Sequence, residues 1–262
     1  MKILKNGMIA LFSLFLTAPL LAAKPIVICT DTNFWYPFTY VNHKQNAAGL
    51  HIDIISTSLQ KLGFQPIYRP NAWQSCFEQA KAGTVDAIAT ASYQDERAVF
   101  LNYPEGAAVD QESPWRVMQV NYVVVTSLFN EQGQPNTQLF NGHLDDIPHP
   151  IRMTTHYAII QDFKRAGLPI KTNESSLSNF KHLLKDHNGS VIDVEAVASY
   201  FLKQPEFSHK LMIQKKSLSN KSYYLVFSKR SQIKSEEQML IWQEIANIRD
   251  DSVLMAEFLK KY

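Results

Sequence analysis

The sequence predicts an α/β fold in two lobes, and three observations predict it. Short apolar runs rich in Val and Ile alternate with amphipathic stretches over residues 26–100, and the alternation resumes over 151–203. Between the two series lie extended and turn-rich segments. The chain has 262 residues, 45% hydrophobic and 19% charged, which is ordinary globular composition and enough for one large domain or two of about 100–120 residues.

The elements follow in order. Ile26–Thr30 reads as a short strand, and Asp31–Tyr40 as an aromatic loop. Gly49 opens a helix that places Ile52, Ile55, Leu59 and Leu62 on one face and stops at Gly63. Gln65–Arg69 is a second strand, Trp73–Ala82 a helix closed by Gly83, Val85–Thr90 a third strand and Asp95–Phe100 a short helix. Such alternation predicts parallel βαβ units. Val120–Thr126 is a strong β run, and residues 130–150 read as loop. The second series comprises strand Ile151–Thr154, helix Tyr157–Ala166, strand Lys171–Asn173, helix Leu177–Asp186, strand Val191–Val194 and helix Glu195–Lys203. A late strand at Tyr223–Ser228 and terminal helices over Glu236–Tyr262 complete the chain. Trp115, Trp242 and Tyr200 read as packing residues, and Asp53 and Asp86 as structural ones.

At the N-terminus, Lys2 and Lys5 precede an apolar run that Pro19 interrupts, too short to span a bilayer comfortably. Residues 1–23 are read as a cleaved secretory signal peptide, which predicts a soluble exported protein. The net charge is +2, and without Lys2 and Lys5 it falls to zero, with 24 basic against 24 acidic residues. The basic residues are scattered and no run pairs them with stacking aromatics, so no nucleic-acid partner is predicted. Cys29 and Cys76 fit an oxidising compartment, either as a structural disulfide or as two buried thiols; no CxxC spacing marks a redox pair. The eight histidines show no metal-ligand spacing, and neither a metal nor a cofactor is expected.

The stretch Gly83–Arg97 carries the strongest functional signal: an apolar strand, a loop of small hydroxyl residues, then Arg97 in the first turn of a helix. A cation there is disfavoured by roughly 0.3–1 kcal/mol, offset in part by Asp95 and Glu96. The placement makes sense if Arg97 points at an anion that free backbone N–H groups also face, as a ligand carboxylate would be. Ligands of open α/β sheets bind beyond the carboxyl ends of the strands, which with two lobes is the cleft between them.

The order and spacing of several segments resemble the bacterial periplasmic solute-binding proteins of family 3, the polar amino-acid type that serves ABC importers. They are Ile28–Asp31 through Pro37-Phe38, Gly49–Ile55, Gly83–Ile88 through Arg97 and Tyr103-Pro104, then Val191–Pro205 and Tyr223–Lys229. The resemblance implies a two-lobed periplasmic-binding-protein-like fold of type II, each lobe a βα sheet sandwich, with the chain crossing twice between lobes. The first lobe would hold residues 24–113 plus 218–262, and the second 114–217. It implies that Arg97 forks onto the ligand's carboxylate beside Thr90 and Ser92, and that Asp193 takes the ammonium with Asp31 near the same end. Phe34, Trp35 and Trp73 fall where the family places walls around the ligand. Thr154, Thr155, His156 and Tyr157 match a loop that contacts the carboxylate, although the family's usual Gly-Thr pair is absent there. Of these four, Thr155 is taken into the expected ligand set. Segment 109–117 looks like an insertion.

The function expected is therefore capture of a small polar solute, an amino acid or similar zwitterion, by a periplasmic and monomeric protein that delivers it to an ABC permease in the inner membrane. No catalysis is expected. A dehydratase-like enzyme on the same fold and a ligand-sensing adaptor are the alternatives.

Overall fold

A computed structural model describes residues 23–109, 113–137, 140–155 and 157–262. The signal-peptide expectation, Ala23 apart, lies outside these residues, as do His156 and the middle of segment 109–117.

The first series runs β1 (Lys24–Asp31), a small hairpin of β2 (Tyr40–Val41) and β3 (Ala47–Ala48), α1 (Leu50–Lys61), β4 (Phe64–Asn71), α2 (Trp73–Ala82), β5 (Ala87–Ala91), α3 (Asp95–Ala98) and β6 (Leu101–Asn102). Then β7 (Met118–Ser127) leads to the second series. This comprises β8 (Ile151–Thr154), α4 (Ile160–Arg165), β9 (Ile170–Asn173), α5 (Ser176–Asp186), β10 (Ser190–Val194) and α6 (Glu195–Leu202). The long β11 (Leu211–Ser228) returns to the first half, where α7 (Ser235–Asp250) and α8 (Ser252–Leu259) end the fold.

The strands form one continuous order, β4-β1-β5-β11-β7-β10-β8-β9, with β6 also on β11. Each lobe is built on one end of it. Strand β1 is parallel to β4 and β5, and β8 is parallel to β9 and β10, as the helical crossovers predict. The middle of the sheet, outside the βαβ units, is antiparallel: β5–β11, β11–β7 and β7–β10. Strands β7 and β11 enter through extended chain rather than helices, so nothing forces them parallel. The eighteen-residue β11 also begins twelve residues before the predicted Tyr223–Ser228 strand. After Leu211–Ile213 its next residues, 214–221, are mostly polar, with Lys215, Lys216, Asn220 and Lys221; pairing with β7, which carries Val120 and Val123–Val125, makes this part a strand. Helix α4 starts three residues later than predicted, because residues 157–159 form a turn.

Both lobes close around apolar cores. In the first, Ile54, Ile55 and Leu59 of α1 meet Ile241, Ile245 and Ile248 of α7 over Ile26 and Ile28. On the opposite face of the sheet, Phe77 and Ala80 of α2 pack with Ile88 and Val226. The second core joins Val124, Ile192, Phe163, Phe180 and Phe201. A fully buried side chain of this kind contributes about 1.5–3 kcal/mol. Asp86 is structural: its carboxylate accepts from the Val27 amide at 2.9 Å and from the Ser231 hydroxyl at 2.9 Å.

One glycine sets the geometry of the aromatic loop. Gly49 has φ of 121°, and a Cβ there would lie 2.3 Å from the Phe38 carbonyl oxygen. The close approach lets the Leu50 and His51 amides, free donors at the start of α1, donate to the carbonyls of Pro37 and Phe38 at 2.9 and 3.0 Å.

Candidate ligand-binding cleft

The carboxyl ends of β1, β5 and β8 converge between the lobes on a cavity of about 60 Å³. At roughly 10–15 Å³ for one water, this is room for about four to six waters, or a solute of similar atom count.

Arg97 is the charged centre of the wall. It is 6% exposed, and its guanidinium carbon lies 5.5 Å from the Trp73 ring centre and 5.2 Å from that of Phe77. Two aromatic faces thus hold the cation where little water reaches it. Its Nη1 donates to the Ser92 carbonyl at 3.1 Å and lies 3.3 Å from Ser92 Oγ. The same carbonyl accepts from the Tyr103 hydroxyl at 3.0 Å, which holds the loop rigid. The expectation of free amides beside Arg97 is not met at Arg97 and Ala98. Both N–H groups donate to the Gln94 carbonyl at 3.0 Å, because α3 is a single tight turn that uses them itself.

Thr90, Ser92, Asp31, Trp73, Trp35 and Thr155 also line this cavity. Thr90 is the fourth of the five buried residues of β5, and Trp73 opens α2 with its ring edge-on to Phe77 at 4.7 Å. A disulfide joins Cys29 of β1 to Cys76 of α2 and fixes that helix start against the strand. The Asp31 carboxylate accepts from the Asn33 amide at 3.1 Å and the Asn33 side chain at 3.2 Å, so it also shapes its own turn. Trp35 forms the floor, packed on Phe38, His51 and Tyr223 with ring centres 4.8–5.4 Å apart. Thr155 comes from the other lobe, its amide and hydroxyl both donating to the Asn173 carbonyl at 2.8 and 2.9 Å.

Two residues of the expected set stand elsewhere. Phe34 is 42% exposed and packs against Tyr200 at 5.2 Å and Phe201 at 6.4 Å, beside a separate 40 Å³ cavity. Asp193 is fully buried but does not line the central cavity. Its Oδ1 accepts from the Val194 amide at 2.7 Å and the Tyr157 hydroxyl at 3.2 Å. Burial pushes its pKa up to about 6, against the hydroxyls of Ser176 and Tyr157 and the Val194 amide, which favour the charged form.

Two tyrosines of the wall were not in that ligand set. Tyr157 lies on the cavity wall in front of Asp193. Tyr223 closes the cavity from β11 and shares a 2.7 Å hydrogen bond between hydroxyls with Tyr122 of β7. Burial pushes Tyr223 up to about 12, with the Tyr122 hydroxyl and the Arg97 charge acting against it. No local signal marks Tyr223, since it reads as an ordinary strand residue. Tyr157 sits in a segment the family resemblance covers, but without the usual Gly-Thr pair to anchor its role.

Arg97, Thr155 and Tyr157 also line an outer cavity of about 580 Å³, with Lys81 and Lys164 on its rim. Across the cleft, the Gln94 side chain donates to the Ala158 carbonyl at 3.2 Å.

Fold and cleft together define a two-lobed domain of the periplasmic-binding-protein type. Residues 26–132 match the family of bacterial extracellular solute-binding proteins, family 3. No curated protein matches the chain in sequence. Solved structures match along nearly its whole length. A histidine kinase sensor domain with similarity to periplasmic binding proteins has a TM-score of 0.72 at 14% identity, covering 92% of this chain and 96% of its own. An ancestral arginine-binding protein bound to arginine has a TM-score of 0.68 at 16% identity, over 92% and 99%. The ancestral amino acid-binding protein AncCDT-1, a precursor of cyclohexadienyl dehydratase, has a TM-score of 0.65 at 13% identity, over 91% and 94%. At these identities the likeness is one of fold. Among the described residues no helix is long and apolar enough to cross a membrane.

Proposed function

We propose that the chain is an exported, periplasmic binding protein that closes two lobes, residues 24–113 plus 218–262 and 114–217, around a small carboxylate-bearing solute, an amino acid or similar zwitterion. The observation that carries this reading is Arg97, buried against two aromatic rings on the wall of a cavity to which both lobes contribute. A guanidinium held there presents a planar fork to a carboxylate. Ligand contacts from both lobes stabilise the closed state, which is the whole mechanism; no chemistry is required. The closed form is then delivered to an ABC permease. The likeness to a sensor domain favours a second use of the same closure, signalling to a separate partner chain. Solute capture is common to both.

The test is a thermal-shift screen of the purified protein, unfolded and refolded to strip carried-over ligand, against amino acids, small carboxylates, polyamines and sugars. At about 100 times its dissociation constant a ligand adds roughly 2.7 kcal/mol, or about 5–10 °C at this size. A shift with one amino-acid class that Arg97→Ala abolishes is the expected result. A shift that ignores Arg97, or one given only by sugars, overturns the reading.

A further inference from the structure

The buried acid Asp193 poses a problem for the capture of a zwitterion. Its charge is well placed to balance an ammonium, yet it stands one hydrogen bond behind the cavity wall. The residue in front of it is Tyr157, which lines the central cavity and, with Ser176, the separate 40 Å³ cavity, and whose hydroxyl donates to Asp193 Oδ1. Asp193 Oδ1 already takes two donors, from Val194 and Tyr157, while Oδ2 is buried with no hydrogen-bond partner among the described residues. Tyr157 is held from behind as well. Its hydroxyl lies 3.3 Å from Ser176 Oγ, which lies 3.2 Å from Thr154 Oγ1, which accepts from the Asn179 side chain at 3.3 Å. Its ring packs edge-on against Tyr122 at 5.9 Å. The phenol is therefore fixed by two elements, α5 and β7, and cannot swing aside without breaking this packing.

We infer that Tyr157, not Asp193, is the residue that meets the ligand's ammonium, and that it is the specificity-determining residue of the second lobe. A phenol that donates its proton to a carboxylate keeps its oxygen lone pairs, and the carboxylate behind it makes that oxygen a stronger acceptor. Tyr157 thereby presents the Asp193 charge to the cavity as a hydrogen-bond acceptor, while Asp193 stays dry and acts as a positioning residue. The solute class that fits is an α-amino acid whose carboxylate lies on Arg97 and whose ammonium lies on Tyr157 Oη. A 2-hydroxy acid of the same shape keeps the first contact and loses the charge of the second. This inference rests on the binding reading above.

The experiment compares, by titration calorimetry, the tightest-binding of the twenty amino acids with its own 2-hydroxy acid, on wild type, Tyr157→Phe and Asp193→Asn. Both acids are measured on the same protein, so any loss of folded fraction cancels in their affinity ratio. A hydrogen bond to a charged group predicts a wild-type preference of roughly 10- to 100-fold for the amino acid. Tyr157→Phe is expected to bring the ratio to within about 3-fold, and Asp193→Asn to lower it only partly, because the phenol oxygen remains. If Tyr157→Phe leaves or raises the preference while Asp193→Asn abolishes it, the ammonium reaches Asp193 directly and the inference is overturned. A preference that neither variant changes overturns it too. If none of the twenty amino acids binds, the amino-acid reading itself fails, a result distinct from either.

Discussion

Asp193 gives a stability signal that depends on pH and can be isolated with one substitution. Burial moves its carboxyl from 3.8 to about 6, a gap of roughly two units, or about 3 kcal/mol at 1.36 kcal/mol per unit. Between those values the folded state holds the proton and the unfolded state does not. Stability therefore falls as pH rises from about 4 to about 6 and is level above that. The other groups around the carboxyl, Tyr157 and Tyr122, have pKa values raised by burial and stay neutral throughout. His51 works in the opposite sense. Burial lowers its pKa from 6.5 to about 3, so it favours the fold above 6.5 and opposes it progressively on acidification. The two slopes overlap, and wild type alone would show little net trend. Asp193→Asn keeps the shape and removes one of them. Urea unfolding at about pH 4 and pH 7.5, disulfide intact in both proteins, should find the variant's stability relative to wild type about 3 kcal/mol higher at the upper pH, or about 6–12 °C in Tm. A difference that does not change with pH would mean that Asp193 is solvated, and the reasoning would be refuted.

Two further outcomes are expected. The Cys29–Cys76 disulfide spans 47 residues of sequence, so its loss should cost about 4 kcal/mol by chain entropy, read as a lower Tm for the Cys29→Ser/Cys76→Ser pair; an unchanged Tm would show that the bridge constrains nothing. Tyr200 of α6 packs on Phe34 at 5.2 Å and Tyr36 at 5.0 Å, contacts between the proposed lobes each worth about 0.5–1.5 kcal/mol beyond area. Ligand-free Tyr200→Ala should scatter X-rays as a more extended particle than wild type; an identical radius of gyration would assign closure to other contacts.

The fold was legible wherever an element carries its own pattern. Helix α2 forms over the predicted Trp73–Ala82, because Gly83 in a left-handed conformation stops it, and β8 forms over the predicted Ile151–Thr154, whose residues are all buried. The first part of β11 was illegible for the converse reason. Residues 214–221 include three lysines and are mostly polar, and what makes them strand is the β7 edge about 100 positions earlier in the chain. Local propensity decides an element that can form alone, and pairing decides one that cannot.

The same division runs through the site. Arg97 stood out in sequence because its position is locally unfavourable, and an unfavourable placement calls for a compensating partner; the structure supplies Trp73 and Phe77 from α2. Thr90, Ser92 and Arg97 lie within eight residues, so the junction from β5 to α3 carries all three to the wall. The second lobe's side has no such economy. Tyr157, Ser176 and Asp193 come from three elements, and Tyr122 and Tyr223 are 101 residues apart when their hydroxyls meet. Asp193 was visible as an acid ending a strand, but nothing in the sequence says that a phenol stands before it. If Tyr157 rather than Asp193 reads the ammonium, recognition on this side is a property of packing, and exchanging the acid alone will not transplant it.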